Sequence, residues 1–308
     1  MQPLDFRDFV KMKKRANSKR PRFMRALLLV LAGTLCLAYP LVSTLWNNYQ
    51  AKLVVQDYVG HVNKQAEQVA LDHLESAREY NKNRKAGTFT DPYSHTDIPA
   101  KADDLADFEK YLETLNEPAG AMATVTIPEI GVNLPVYHGT SYETLQRGAG
   151  HLYGSDLPVG GTDRHAIITA HSGLPNSTMF DQLNHLDSGD MFYINVQGTT
   201  LQYKVTDINV VDPTDIKLLQ RQTGRDLATL ITCTPYGINS HRLLVTGERV
   251  LPDRVEPPPA GHQWSWWMTL FIFAILAALA ICAMIIFAGL RRRKDEKNRH
   301  APKHALKE

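Results

Sequence analysis

The sequence predicts a mainly β domain, a closed barrel or sandwich preceded by helices and carried between two membrane spans. Two long charge-free apolar runs near the chain ends predict the spans, and a succession of short β-rich runs between them predicts the barrel or sandwich. Charge segregation orients the whole. Residues 1–25 carry +7 and residues 291–308 carry +5, so the overall +2 leaves about −10 on the stretch between. A middle that acidic is repelled by phosphate backbones, which argues against nucleic-acid binding as the main job. With 44% hydrophobic and 21% charged residues the chain is neither low-complexity nor compositionally disordered, and 19 Gly with 17 Pro exclude a collagen.

In chain order, residues 1–25 read as a basic cytoplasmic tail and residues 26–46 as the first span. Those 21 uncharged residues make a helix of about 31 Å, the thickness of a bilayer core. The run is longer than the apolar region of a signal peptide and lacks a clear Ala-x-Ala site, so an uncleaved anchor is expected. Residues 264–290 form the second span, opened by Trp264, Trp266 and Trp267 and closed by Arg291, Arg292, Arg293 and Lys294. The Lys/Arg bias puts both termini in the cytoplasm and residues 47–263 outside. Within that outer part, residues 47–121 are a helical region: residues 47–84 hold apolar positions at helical spacing and residues 102–115 repeat the pattern. Gly87, Asp91-Pro92 and Pro99 break it, so residues 87–99 read as a loop. Residues 122–251 hold the β-rich runs, at 122–127, 132–137, 166–170, 191–196, 200–211, 228–233 and 242–250. Residues 252–263, with Pro257-Pro258-Pro259, are a semi-rigid linker.

The chain has three cysteines, and Cys36 and Cys282 fall inside the spans. Cys233 is then the lone thiol of the outer domain, without a disulfide partner there, either a buried small hydrophobe or a thiol kept free for chemistry. It ends the apolar run Ala228-Thr229-Leu230-Ile231-Thr232, a strand end where a reactive group is exposed. An antiparallel hairpin through the loop at 234–241 would set Arg242 beside it, where a guanidinium lowers a thiol pKa and donates to an oxyanion. Among ten outer histidines, His171 has the matching placement, closing the strand at 166–170. His151, in a loop after Gly148-Ala149-Gly150, and His241, next to Arg242, compete with it as general base, whereas His61, His73 and His185 sit in helical or polar stretches and read as solvated. The outer domain has neither a His-x-x-x-His with a Glu nor a Cys-x-x-Cys, so no metal is expected.

Thr229-Leu230-Ile231-Thr232-Cys233 followed nine residues later by Arg242 resembles the signature of the sortases, cysteine transpeptidases of Gram-positive cell surfaces. The stretches His138-Gly139-Thr140, Gly148 to His151 with Leu157-Pro158-Val159-Gly160-Gly161, and His171 with Gly173-Leu174-Pro175 are similar to the pilus-assembling class C branch, as are the double anchor and Asp91-Pro92-Tyr93. The resemblance implies an eight-stranded β-barrel in which Cys233 attacks the Thr-Gly carbonyl of a Leu-Pro-x-Thr-Gly signal on a pilin or surface protein. It makes His171 the acid and base and Arg242 the oxyanion donor, with a pilin lysine as acceptor and no cofactor. It also implies that Asp91, Pro92 and Tyr93 form a lid, Asp91 on Arg242 and Tyr93 over Cys233, and that Thr232 helps line the groove. Taken as an exposed ion pair, Asp91 and Arg242 would contribute only about 1 kcal/mol, so a readily opened lid is expected. Ser172, where a basic residue is common, and Tyr93, where Phe or Trp is usual, depart from the pattern. Anchoring to a peptidoglycan precursor, hydrolysis through the same triad, and a non-catalytic double-anchored scaffold remain the alternative readings.

Overall fold

The computed structural model describes residues 6–84, 91–94, 102–117, 120–254 and 256–299. Residues Ser43–Ser265 form one compact unit. The other unit contributes two helices, and those long and apolar enough to cross a membrane run over Met24–Val62 and Trp266–Arg292, flanking the barrel in sequence. The first belongs to α1 (Phe6–Val62), which begins well before the apolar run and continues past it in one piece, then turns into α2 (Glu67–Asn83). Residues 47–84 are thus the end of one helix and the whole of a second. α3 is Ala102–Glu113.

Eight strands close the barrel: β1 (Ala121–Ile127), β2 (Val132–His138), β3 (Ala149–His151), β4 (Arg164–Thr169), β5 (Met191–Val196), β6 (Thr199–Val211), β7 (Asp226–Thr234) and β8 (His241–Arg254). A short helix α4 (Tyr142–Arg147), capped by Ser141 accepting from the Thr144 amide, connects β2 to β3. Around the barrel the order is β1-β2-β3-β4-β7-β8-β6-β5, which leaves no open edge. The final helix α5 is Trp266–Arg299.

Seven strands lie where the β-rich runs predict them, β5 with the expected bounds and the others differing by up to a few residues, and β8 extends into the expected linker as far as Arg254. The eighth, β3, has no counterpart among the seven runs, and His151 therefore lies on a strand rather than in a loop. Its three residues include Gly150, where a Cβ would sit 2.3 Å from the Gly139 carbonyl oxygen. Close backbone approach demands the residue type that strand propensity disfavours.

β7 reads Asp-Leu-Ala-Thr-Leu-Ile-Thr-Cys-Thr and its seven inner residues are all buried. It is flanked on both edges, parallel to β4 and antiparallel to β8, the position that selects a near-continuous apolar run. The barrel interior, including Val125, Ile168, Ile194, Leu230 and Val245, merges into one core with Leu74, Ala77 and Tyr80 of α2 and Tyr111 of α3. At the end of α2, Asn81 fixes the loop before β4 by donating to the Leu157 carbonyl (3.0 Å) and accepting the Leu157 amide (2.8 Å). Next to it Asp156, 1% exposed, accepts from Arg221 Nε at 2.8 Å and faces Arg84 at 3.9 Å and Arg164 at 3.7 Å. One buried carboxylate thus joins α2 to two barrel loops.

Candidate active site

β4 and β7 run parallel, so their ends rise on the same rim, and the hairpin from β7 to β8 brings β8 back beside it. The register pairs Cys233 directly with Arg242. His171 lies two residues beyond β4, and Ser172 donates to the Cys233 carbonyl at 2.8 Å, tying the two strand ends together. Thr232 is buried and donates to the Ala170 carbonyl at 2.8 Å, so it braces the backbone just before His171 and lines a cavity of about 170 Å³ beside Cys233.

Residues 91–94 lie across this rim. Of the loop expected at 87–99, residues 87–90 and 95–99 fall outside the described residues. Pro92 opens a 3-10 turn (Pro92–Ser94) closed by the Ser94 amide on the Asp91 carbonyl at 2.9 Å, so the segment is the Asp-Pro turn its local sequence specifies. Asp91 accepts both Arg242 Nε (2.8 Å) and Nη2 (2.7 Å) in a bidentate pair. The Tyr93 ring lies under the Arg242 guanidinium at 4.8 Å and against the His171 ring at 5.4 Å between centroids. Its hydroxyl donates to the Ala170 carbonyl at 2.7 Å and accepts from Thr169 Oγ1 at 2.9 Å. Phe has no polar atom and the Trp indole N–H donates but cannot accept, so neither could make both bonds, which accounts for tyrosine at this position. These bonds also form a contact that the sequence alone does not suggest.

The Asp91–Arg242 pair is not the exposed pair expected from the sequence, because its side chains are only 19% and 11% exposed. Burial removes solvent screening and the bidentate geometry strengthens it, so the segment is held by more than about 1 kcal/mol.

The thiol responds to the same arrangement. Burial pushes the Cys233 pKa up, Arg242 opposes this, and the Asp91 carboxylate adds to the rise. The expected lowering by Arg242 is present but outweighed by burial, so the net shift favours the neutral thiol. The Tyr93 hydroxyl is likewise raised, first by burial and then by the nearby thiol.

The structure separates the competing histidines. His151 is wholly buried, bonded at Nδ1 to the Tyr111 hydroxyl (3.0 Å) and at Nε2 to the Asp156 carbonyl (2.7 Å), and burial drives its pKa down to about 3. His241 faces outward, near Asp212 at 3.9 Å. His138 and His165 also bond inside the protein, to the Thr114 carbonyl and the Thr229 hydroxyl, with pKa values lowered by burial. Only His171 of these meets the Tyr93 ring, which also stacks on the Arg242 guanidinium. Among the described residues no group of His, Cys, Asp or Glu is arranged to hold a metal.

A thiol and a guanidinium paired at the ends of barrel strands, with an imidazole on the same rim, define a cysteine acyl-transfer barrel. The comparisons place it more narrowly. A family model described as the sortase domain matches residues 125–250. Sortase C-1 of Actinomyces oris is 47% identical and superposes with a TM-score of 0.55, covering 59% of this chain and 99% of that one. Sortase C of Streptococcus pneumoniae, a structure described for catalysis and pilin substrate specificity, is 36% identical with a TM-score of 0.58, covering 65% and 98%. Sortase A of Staphylococcus aureus is 34% identical over 116 residues, 36% of this chain and 54% of that protein. The chain spans about half the length of such curated relatives. It belongs to the sortase family, the cysteine transpeptidases, and its structural relatives are class C sortases.

Proposed function

We propose that this protein is a membrane-anchored pilin transpeptidase, with its barrel outside the cell and both termini in the cytoplasm. The observation that carries the reading is the Cys233–Arg242 register pair on the same rim as His171, with the Tyr93 ring packed against both Arg242 and His171. The likeness to sortase C enzymes, one described in terms of pilin specificity, supports pilins as the substrate class.

With the lid displaced, the Cys233 thiolate attacks the Thr carbonyl of a Leu-Pro-x-Thr-Gly signal, and the oxyanion that forms is met by Arg242. Protonated His171 gives its proton to the departing glycine amine, leaving a thioester on Cys233. His171, now neutral, takes a proton from a pilin lysine as its Nζ attacks the thioester, which forms an isopeptide bond, expels the Cys233 thiolate and leaves His171 protonated as at the start. Thr232 braces this groove through Ala170. The flanking apolar helices support confinement of enzyme and membrane-embedded pilin to one surface, which raises their local concentration. Anchoring to a peptidoglycan precursor is the second reading, because the same thioester accepts either amine.

The test offers a sorting-signal peptide together with a lysine-bearing pilin fragment or a peptidoglycan-type amine. Isopeptide product with the lysine that vanishes in Cys233→Ala supports the proposal, and transfer only to the peptidoglycan amine refutes the pilin assignment. Orientation is read by labelling intact cells with an impermeant thiol reagent. A cysteine at Val210, an exposed β6 position, should react and one at Lys303 should not.

A further inference from the structure

The loop that follows His171 is held by the two chain segments that continue into the apolar helices. On the N-terminal side, Asn47 donates to the Asn176 carbonyl at 2.9 Å and Asn48 donates to Thr178 Oγ1 at 2.9 Å, while the Thr178 amide and Ser177 hydroxyl both point at Asn48 Oδ1. On the C-terminal side, Thr178 Oγ1 donates to Gln263 Oε1 at 2.5 Å, and Gln263 Nε2 donates to the Met179 carbonyl at 2.6 Å. Gln182 bonds the Trp264 carbonyl, and the Ser265 hydroxyl donates to Asp181 Oδ2 at 2.9 Å. Thr178, 1% exposed, is therefore the shared partner of both segments.

The same loop closes on the catalytic side. The other Asp181 oxygen accepts the Gly173 amide at 2.8 Å, and the Phe180 amide donates to the His171 carbonyl at 3.0 Å. Asp181 and Phe180 also line the cavity beside Cys233. A continuous path thus runs from Ser265 through Asp181 to Gly173, and from Gln263 through the Met179 carbonyl to the neighbouring Phe180 and His171. Met179 has φ +33°, the left-handed region that a side chain disfavours, and such a conformation persists where the surroundings over-determine it. Residues 172–182 contain no helix or strand of their own, so these outside bonds are a principal source of their order.

We propose that Asn48, Gln263 and Ser265, acting through Thr178 and Asp181, are positioning residues for His171. The anchoring segments then belong to the active-site scaffold rather than serving only as tethers. The proposal rests on the acyl-transfer reading. Within that reading it adds that proton transfer depends on docking of residues 47–48 and 263–265, since general acid–base catalysis falls steeply with misplacement of the base.

The experiment uses the full chain in detergent micelles and a sorting-signal peptide with a lysine acceptor. Ser265→Ala and the Asn48→Ala/Gln263→Ala pair should each lower kcat roughly ten- to a hundred-fold with KM within about two-fold, while iodoacetamide modifies Cys233 at an unchanged rate. The pH profile of kcat should shift in these variants, and Ser265→Thr, which keeps the hydroxyl, should restore both rate and profile. Unchanged kcat and pH profile would overturn the proposal. So would an equal loss in Ser265→Ala and Ser265→Thr accompanied by a lower melting midpoint, the mark of a purely structural role. Cys233→Ala is run alongside, and transfer surviving there would refute the acyl-transfer reading itself.

Discussion

Removing the lid contacts should convert a concealed thiol into a reactive one, and the structure sets the scale. The double substitution Asp91→Ala/Tyr93→Ala deletes the bidentate pair with Arg242, the ring beneath its guanidinium, and the hydroxyl bonds to Ala170 and Thr169. A partly buried, charge-assisted bidentate pair contributes about 2 kcal/mol, the cation–π contact about 1 and the hydroxyl bonds about 1. Together they favour the closed state by about 4 kcal/mol, roughly a thousand-fold in the closed-to-open ratio; the entropy of ordering the segment enters wild type and variant alike. The assay is the second-order rate of Cys233 modification by a soluble thiol reagent at neutral pH, in a chain with Cys36 and Cys282 replaced by Ala. The variant should react at least about ten-fold faster, with roughly a thousand-fold as the ceiling set by complete opening. Equal rates would show that residues 91–94 do not gate the thiol.

Tyr93→Phe keeps the ring and loses only the hydroxyl bonds, so thiol reactivity should rise by about five- to ten-fold, less than in the double variant. The closed state raises the Cys233 pKa, so a bound proton stabilises it; this stabilisation is complete below the open-state pKa and is lost as pH rises through the closed-state value. Alkylation followed against pH should therefore have a lower midpoint in Asp91→Ala/Tyr93→Ala than in wild type, and an identical or higher midpoint contradicts this. Asp156→Ala leaves Arg84, Arg164 and Arg221 without their shared carboxylate, and chemical denaturation should register a loss of about 3 kcal/mol or more. A loss under about 1 kcal/mol would mean that the arginines find other partners.

Much of the candidate site's geometry was legible because its residues sit at strand ends. The apolar run at 228–233 specifies a doubly flanked strand, its turn returns the chain antiparallel, and pairing of Cys233 with Arg242 follows from that hairpin. β3 was not legible, since three residues built around Gly150 carry no alternating pattern and exist because two backbones must approach. The strength of the Asp91–Arg242 contact was also out of reach: sequence shows an Asp and an Arg about 150 positions apart, and only the fold shows how little solvent reaches the pair. The same holds for the Tyr93 hydroxyl, whose partners Ala170 and Thr169 lie 76 or 77 positions away. Among the histidines, burial rather than sequence position separates His151 from His171.

The most direct test of the account is mass spectrometry of the Asp91→Ala/Tyr93→Ala protein after incubation with a Leu-Pro-x-Thr-Gly peptide and no amine acceptor. The account predicts a thioester on the peptide containing Cys233, its added mass ending at the Thr residue, abolished by Cys233→Ala and discharged when a lysine-bearing pilin fragment is added. Cleavage of the peptide without an adduct on Cys233, or with Cys233→Ala still active, would contradict it.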